Sequence, residues 1–180
     1  MKINMVIAFM VILTSLSAQT EEDFVLFDFN SSETSGKWYT VNDDVMGGIS
    51  ESSFLMSEDG LALFSGNVSP ENNGGFASAR AFVRLNSDSK FKGVIIRVKG
   101  DGNKYNIRFR TDTGFDGYAY QAKFQTEKDS WIEYKVPFSD FKPTFRGRTL
   151  SNKPILESKN IEQNRCFDCR LPIWFILTGY

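Results

Sequence analysis

Apolar and polar residues alternate along much of this chain, and this pattern restricts its fold more than any other feature. The alternation runs through the segments 76–85, 94–98, 105–109, 118–124 and 132–136. A period of two residues is typical of strands that bury one face and expose the other. Asp101-Gly102 and Asp116-Gly117 separate consecutive segments, and Asp-Gly is favoured in hairpin turns. The sequence therefore predicts one all-β domain, an antiparallel sandwich or barrel, with no long amphipathic helix.

The polar positions of these strands predict a candidate ligand-binding surface. It consists of Arg80, Asn106, Arg108, Arg110 and Gln121. If the strands share a sheet, these side chains lie on one face, opposite to the apolar set. Guanidinium and amide groups can bind carbohydrate hydroxyls, carboxylates or protein backbone. Two alternatives stay open: an ordinary solvated sheet face, and arginines that are buried with structural ion-pair partners.

The composition excludes several kinds of functional site. The chain contains no His, which rules out Ser-His-Asp and Cys-His catalysis and zinc sites with imidazole ligands. Its formal net charge is −1 and its basic residues are scattered, so no general attraction to nucleic acid is expected. We predict no catalytic residues, no cofactor and no metal ligands.

A loop at residues 42–48 combines adjacent carboxylates with a pair of glycines. Asp side chains accept local backbone hydrogen bonds and glycines permit a positive φ, so a tight turn between strands is favoured. A shared acid–base site is disfavoured, because adjacent residues of a strand point to opposite faces. A calcium site would need more oxygen ligands than this spacing offers. A structural role is predicted for Asn42, Asp43, Asp44, Met46, Gly47 and Gly48.

Trp131 begins the last alternating segment. A tryptophan can serve as a stacking platform for sugars, but aromatic residues of sandwiches are more often buried anchors. We expect Trp131 to lie in the core.

The segment from Asn42 to Phe54 resembles the signature of the complex I intermediate-associated protein 30 (CIA30) family. The resemblance continues, in the same order, through residues 64–69, 72–80, 93–102, 105–111, 131, 136–141 and 145–148. Members of this family are assembly factors of NADH:ubiquinone oxidoreductase and their bacterial relatives. The resemblance implies a galactose-binding-like β-sandwich (jelly roll), similar to some carbohydrate-binding modules, without established catalytic residues.

The N-terminal segment differs from the rest of the chain. Residues 1–19 contain Lys2, an apolar run too short for a comfortable membrane span, and small residues that end at Ala18. This arrangement is typical of a signal peptide. It predicts an exported protein, periplasmic or extracellular, with a sandwich domain at residues 20–163.

The C-terminal segment, residues 164–180, diverges from the family pattern. Suitable codons, read one nucleotide later, restore an alternating strand, so we expect a frameshift near residue 163. A true divergent tail is the alternative. If the frame is shifted, the last strand of the sandwich is missing or scrambled. Cys166 and Cys169 have the spacing of a redox motif, and a local disulfide is also possible in an exported protein.

These features together predict a binding protein and no enzyme. Our first hypothesis is a non-enzymatic CIA30-type binding or assembly module, and the alternative is a carbohydrate-binding module of an extracytoplasmic protein. The partner would be a protein or a glycan of unknown identity. No nucleic acid is expected, and no stable membrane span would remain after cleavage of the signal peptide.

Overall fold

Two antiparallel β-sheets face each other in this structure, which is a computed structural model of the chain. It describes residues 24–27, 29, 38–58, 60–83, 85, 90–114 and 117–161, together with the backbone of residues 163–167 and 171–178. The predicted signal peptide, Asp116 and Cys169 lie outside these described residues. The fold class predicted above, an antiparallel galactose-binding-like sandwich, is confirmed.

The strands are short and follow one another closely. In the described part of the chain they are β1 (Phe24–Phe27), β2 (Trp38–Asn42), β3 (Glu51–Met56), β4 (Ala62–Asn67), β5 (Ala77–Phe82), β6 (Gly93–Lys99), β7 (Lys104–Arg110), β8 (Ala119–Gln125), β9 (Trp131–Pro137), β10 (Lys142–Phe145), β11 (Arg148–Thr149), β12 (Gln163–Phe167) and β13 (Leu171–Thr178). Single 3₁₀ turns occur at Asp43–Met46, Glu71–Asn73, Phe138–Asp140 and Ser158–Asn160.

The strand order mixes distant parts of the sequence. The six-stranded sheet runs β3-β4-β13-β6-β9, and β1 also pairs with β13. The seven-stranded sheet runs β11-β10-β8-β7-β12-β5-β2. Consecutive strands therefore pair only in part, as in β3-β4, β7-β8 and β10-β11. The strands β12 and β13 lie inside the two sheets, and the frameshift predicted near residue 163 stays a prediction.

The core fills the space between the sheets. Val94, Ile96 and Val98 of β6 point inward from one sheet, and Ile107 and Phe109 of β7 point inward from the other. All of them are buried, as period-two alternation predicts for strands that cover one core. The apolar face of β5 consists of alanines, and the rings of Trp38 and Phe54 stack beside it at a centroid distance of 4.6 Å.

The turn between β6 and β7 is not the hairpin that Asp101-Gly102 predicts, because β6 and β7 lie in different sheets, but its local conformation is the one expected for Asp-Gly. Gly102 has a φ of 93°, and the carboxylate of Asp101 accepts a hydrogen bond from the Asn103 N–H at 3.0 Å. The Gly102 N–H donates in turn to the hydroxyl of Thr126 at 3.1 Å. Because a positive φ is costly for residues with a Cβ, glycine at this position allows the chain to reverse without strain.

Trp131 is not in the core, contrary to our expectation. It lies on the edge strand β9 with 41% of its surface exposed, and the guanidinium of Arg97 sits 5.1 Å from the centroid of its ring. The reason is strand parity. Ile132 faces inward opposite Val98, so Trp131 points outward, opposite Lys99.

Truncation of a core ring tests this packing. Phe109 is fully buried and contacts the rings of Phe138 and Phe141 at centroid distances of 6.1 and 5.3 Å. Phe109→Ala should lower the free energy of unfolding by about 3–5 kcal/mol, because a cavity replaces the ring. The exposed Leu55 is the control, since Leu55→Ala should change that free energy by about 0.5 kcal/mol or less. Chemical denaturation measures both values, and equal losses would contradict the assignment of the core.

Candidate functional site

The loop after β2 is organised around the carboxylate of Asp43. This side chain is completely buried and accepts hydrogen bonds from the N–H of Ser50 at 2.8 Å and from the Ser50 hydroxyl at 2.5 Å. It also accepts the N–H groups of Gly75 at 2.5 Å and of Phe76 at 3.2 Å. One carboxylate therefore joins the loop after β2 to the segments that lead into β3 and β5.

These contacts determine the ionisation of Asp43. Burial alone favours the protonated carboxyl, but the hydrogen bonds from Ser50, Gly75 and Phe76 outweigh it and lower the pKa of Asp43 from 3.8 to about 2. The group is therefore a carboxylate at neutral pH, with its oxygens occupied by protein donors. It has no proton to give to a substrate.

The glycines of the loop have two different functions. Gly47 has a φ of 88°, in the left-handed region, and a Cβ at this position would meet nothing within 4 Å. Gly48 is needed for close approach instead, since its Cβ would collide with the side chain of Asp43. A Cβ at Gly74, in the segment that leads into β5, would collide with the same carboxylate. Of Gly47 and Gly48, only Gly47 has the positive φ that the sequence suggested for both.

The remaining residues of the predicted loop are placed differently from Asp43. The side-chain oxygen of Asn42 accepts a hydrogen bond from the Ser52 hydroxyl at 2.5 Å. Asp44 and Met46 are exposed to solvent. The structure thus separates the two adjacent carboxylates, one buried and one exposed, although both lie in the 3₁₀ turn Asp43–Met46 and not in a strand.

The five residues of the predicted binding surface lie on one face of the seven-stranded sheet. Arg80 of β5 and Arg108 of β7 both pair with the same residue of β12, and Arg108 pairs with Gln121 of β8. Asn106 and Arg110 are two positions away from Arg108 along β7, so they share its face. We call this surface the polar face. Its role in binding stays a prediction.

Burial varies across the polar face. Arg80 and Arg110 are only 4% and 1% exposed, whereas Asn106, Arg108 and Gln121 are partly exposed. The guanidinium of Arg110 contacts the Asp112 carboxylate at 2.8 Å. The Nε of Arg80 donates to the Ser78 hydroxyl at 3.0 Å, and that hydroxyl donates to the Val41 carbonyl at 2.8 Å. Arg80 and Arg110 therefore match the alternative of buried, structurally bonded arginines.

Arg108 is the accessible guanidinium of the set. Its Nε donates to the side-chain oxygen of Gln121 at 2.6 Å, which fixes the direction of the side chain. Burial and, to a smaller extent, the nearby charge of Arg80 together lower the pKa of Arg108 to about 10. Burial also lowers the pKa of Arg80, and repulsion from Arg110 acts in the same direction. Arg80 and Arg108 remain charged at neutral pH.

One buried acceptor on the polar face has no donor among the described residues. The side-chain oxygen of Asn106 is inaccessible to solvent and accepts no hydrogen bond from any of them. Such an atom costs free energy unless a donor reaches it.

Sequence reasoning missed two aromatic residues on this face. Tyr39 pairs with Arg80, and Phe82 lies two positions after Arg80 in β5. The side chains of Tyr39 and Phe82 therefore lie on the same face as Arg80. They are 38% and 56% exposed, and their rings stack at 6.1 Å with an interplanar angle of 27°. The parity of Phe82 with Arg80 was the signal in the sequence. Tyr39 needed knowledge of the pairing of β2 with β5.

The described residues offer no metal site, since no group of three His, Cys, Asp or Glu side chains is arranged to hold an ion. In that same part of the chain, helices with the length and apolar character of a membrane span are absent.

A family model called complex I intermediate-associated protein 30 (CIA30) matches residues 27–165. Among curated proteins, the mitochondrial complex I intermediate-associated protein 30 of Mus musculus is 32% identical over 71% of this chain and 45% of its own length. The probable counterpart in Caenorhabditis elegans is 30% identical over 68% of this chain and 42% of its own length. The chain thus spans about half the length of the curated relatives it matches.

Solved structures of carbohydrate-binding modules share the fold. The family 11 module of the cellulase Lic26A-Cel5E of Clostridium thermocellum has a TM-score of 0.62 and 16% identity, and the match covers 88% of this chain and 95% of that one. A structure of the family 11 module with a β-1,3-1,4-mixed-linked tetrasaccharide has a TM-score of 0.60 and 14% identity, over 87% and 92% of the two chains. At this identity the likeness establishes the fold alone.

The prediction of an exported protein is wrong, because the named relatives are mitochondrial proteins. The residues behind that prediction do not discriminate well between destinations. Residues 1–19 contain Lys2, serines and no acidic residue. Mitochondrial transit peptides are also basic, rich in serine and poor in acidic residues.

Neutralising Asp43 should destabilise the protein much more than neutralising its neighbour. Asp43→Asn replaces an acceptor-only carboxylate with an amide, whose NH₂ group would face the N–H donors of Gly75 or Ser50. Asp44→Asn is the matched control, because Asp44 is exposed. Thermal melts at pH 7 should show a lower Tm for Asp43→Asn alone, and similar values for both variants would refute the central role of Asp43.

The same pair of variants gives a pH signature. Folding lowers the pKa of Asp43 from 3.8 to about 2, so its contribution to stability is complete above the unfolded value and is lost as the pH falls through about 2. The Asp44→Asn variant should keep this loss between about pH 4 and 2, and Asp43→Asn should lack it. The difference in Tm between the two should therefore shrink on acidification.

Gly47 allows a test of backbone conformation without a steric clash. Gly47→Val should lower the free energy of unfolding by about 1–2 kcal/mol, because a β-branched residue resists a positive φ and no neighbour contributes to the effect. Gly47→Asn is the control, since Asn tolerates the left-handed region far better. Urea denaturation should give a higher free energy of unfolding for wild type and for Gly47→Asn than for Gly47→Val. An unchanged Val variant would show that this φ is unimportant.

Proposed function

The chain belongs to the complex I intermediate-associated protein 30 family, and from this membership we propose that it is a non-enzymatic binding module that assists the assembly of a membrane-bound NADH:ubiquinone oxidoreductase. The named relatives support this role, although the chain spans about half of their length. The module would hold a partner through the polar face of its seven-stranded sheet.

One observation supports this proposal most strongly. Arg108, Gln121 and Asn106 stand side by side on a partly exposed sheet face, and the first two are joined by a hydrogen bond. Donors and acceptors fixed on adjacent strands lose little entropy when a partner binds. Such a preorganised surface suits recognition.

The adjacent carboxylates Asp43 and Asp44 offer no comparable support for a catalytic function. Asp43 has a pKa of about 2 and its oxygens are occupied by Ser50, Gly75 and Phe76. A general acid or base near pH 7 needs a pKa close to that pH and access to substrate. Asp43 has neither, and the exposed Asp44 faces away from it.

A carbohydrate-binding function is the second candidate, and the stacked pair Tyr39 and Phe82 favours it. Exposed aromatic rings provide apolar faces on which a sugar ring can lie. The solved neighbours are carbohydrate-binding modules and share this fold. A glycan array with the whole chain tests this candidate. Specific binding that disappears in Tyr39→Ala would support it.

Loss of the Arg108 side chain should separate binding from stability. A tagged chain is expected to retrieve oxidoreductase subunits from solubilised respiratory membranes of its host, detected by mass spectrometry. Arg108→Ala should reduce that recovery about tenfold or more, since buried interface arginines are frequent hot spots. Its effect on the Tm should be small by comparison, because Arg108 is partly exposed and lies outside the core.

Lys135→Ala is the control for this experiment, because Lys135 is exposed on the other sheet. It removes one positive charge and should leave recovery unchanged. Recovery of the same subunits by wild type and Arg108→Ala would remove Arg108 from the binding surface. A much larger loss of Tm would assign it to structure.

A further inference from the structure

The polar face carries an unusual concentration of charge. Its positions on β2, β5, β7, β8 and β10 follow from the pairing of Tyr39 with Arg80, of Arg108 with Gln121, and of Gln121 with Lys142. Every second residue along each strand shares the face. The cations at these positions are Arg80, Lys104, Arg108, Arg110, Lys123 and Lys142.

None of the described positions on these five strands that share the face is an Asp or Glu. The other residues there are Tyr39, Val41, Ser78, Phe82, Asn106, Ala119, Gln121, Gln125 and Thr144. The whole chain has a formal net charge of −1. The positive charge of the polar face therefore contrasts with the nearly neutral charge of the whole protein. Charge segregated in this way produces a local field that attracts anions.

The buried Arg80 adds to this field. Its guanidinium group has almost no solvent around it, so counterions and water screen it less than they screen a surface lysine. The charge of Arg110 is offset by the Asp112 carboxylate at 2.8 Å and contributes less. The exposed Lys123 and Lys142 flank the partly exposed Arg108 and extend the field to the surface.

The spacing of these groups fits an extended polypeptide. Successive residues on the same side of a strand are about 6.6–6.8 Å apart, both in β7 and in an extended peptide laid along it. Acidic side chains at alternate positions of such a peptide could therefore meet the cations of β7 and β8 in register.

Nucleic acid fits these observations less well. Domains that bind it are strongly basic overall, whereas this chain has a net negative charge that opposes the approach of a long polyanion. A short acidic segment of a folded protein avoids this repulsion, because only the local field of the polar face acts on it.

We propose that the polar face binds an acidic, extended segment of the client protein, with Arg108, Lys123 and Lys142 as its accessible cations. This inference rests on the proposed function, since it names the chemistry of the partner held by the same face. It predicts that binding depends on carboxylates in alternate positions and weakens as salt is added.

A pair of labelled peptides tests the proposal with the full chain. One is an extended dodecapeptide of alternating Glu and Ser, and the other has Gln in place of every Glu. Fluorescence anisotropy at low salt should show binding of the Glu peptide, about tenfold or more tighter than that of the Gln peptide. Poly(U) RNA and polygalacturonate serve as competitors of other chemical classes. Either competitor binding more tightly than the Glu peptide at equal charge would overturn the proposal.

Charge reversal locates the surface. The double variant Lys123→Glu and Lys142→Glu changes exposed residues of the polar face, and Lys92→Glu with Lys135→Glu makes the same change in net charge at exposed residues of the other sheet. The first should weaken binding of the Glu peptide about tenfold, and the second should weaken it by much less. Equal losses, or no binding by the wild type, would overturn the proposal, and thermal melts establish that both variants are folded.

The subunit recovery assay separates this inference from the proposed function. If the face variant fails to bind the Glu peptide and also fails to recover oxidoreductase subunits, both are supported. If it recovers those subunits as wild type does, the acidic-segment inference fails while the assembly function stands. If wild type binds the Glu peptide but recovers no subunits, the assembly function fails on its own.

Discussion

The carboxylate of Asp43 is the interaction on which much of this structure depends. It accepts hydrogen bonds from the segment before β3, in the six-stranded sheet, and from the segment before β5, in the seven-stranded sheet. Without this carboxylate, the buried N–H of Ser50 would lose its acceptor. A single ionised side chain thus ties one end of the sandwich together. Gly48 and Gly74 have no Cβ, and this leaves the space that the carboxylate occupies.

The polar face depends on that anchor through the strands beside it. β2 follows directly into the Asp43 loop, and β5 begins just after Phe76, whose N–H the carboxylate accepts. The pairing of β2 with β5 then sets Tyr39 beside Arg80, with Phe82 next to both. The aromatic pair and the guanidinium groups therefore hold a fixed geometry, which reduces the entropy that a ligand must overcome on binding.

Charge and burial act together on this face. Burying a guanidinium group is unfavourable unless hydrogen bonds and opposite charges compensate, and the contacts of Arg80 with Ser78 and of Arg110 with Asp112 provide part of that compensation.

The sequence by itself determined the local part of this architecture. Alternation identified β5 to β9 and the parity of their residues, so the common face of Arg80, Asn106, Arg108, Arg110 and Gln121 could be foreseen. The positive φ of Gly102 was equally predictable, but the sequence pattern did not show that this turn joins two different sheets and is no hairpin. The family resemblance supplied the sandwich as a whole. Even the exposure of Trp131 was implicit in its parity opposite to Ile132.

The tertiary structure decided what depends on contacts between distant residues. Parity states which side of a sheet a residue occupies, but it does not state which strands are neighbours or what covers them. The insertion of β12 between β5 and β7, the burial of Arg80 and Arg110, and the convergence of Ser50 and Gly75 on Asp43 all arise from such contacts. Hydrogen bonds between adjacent strands and the desolvation of charges are set by the whole assembly of strands, and no local sequence pattern encodes them.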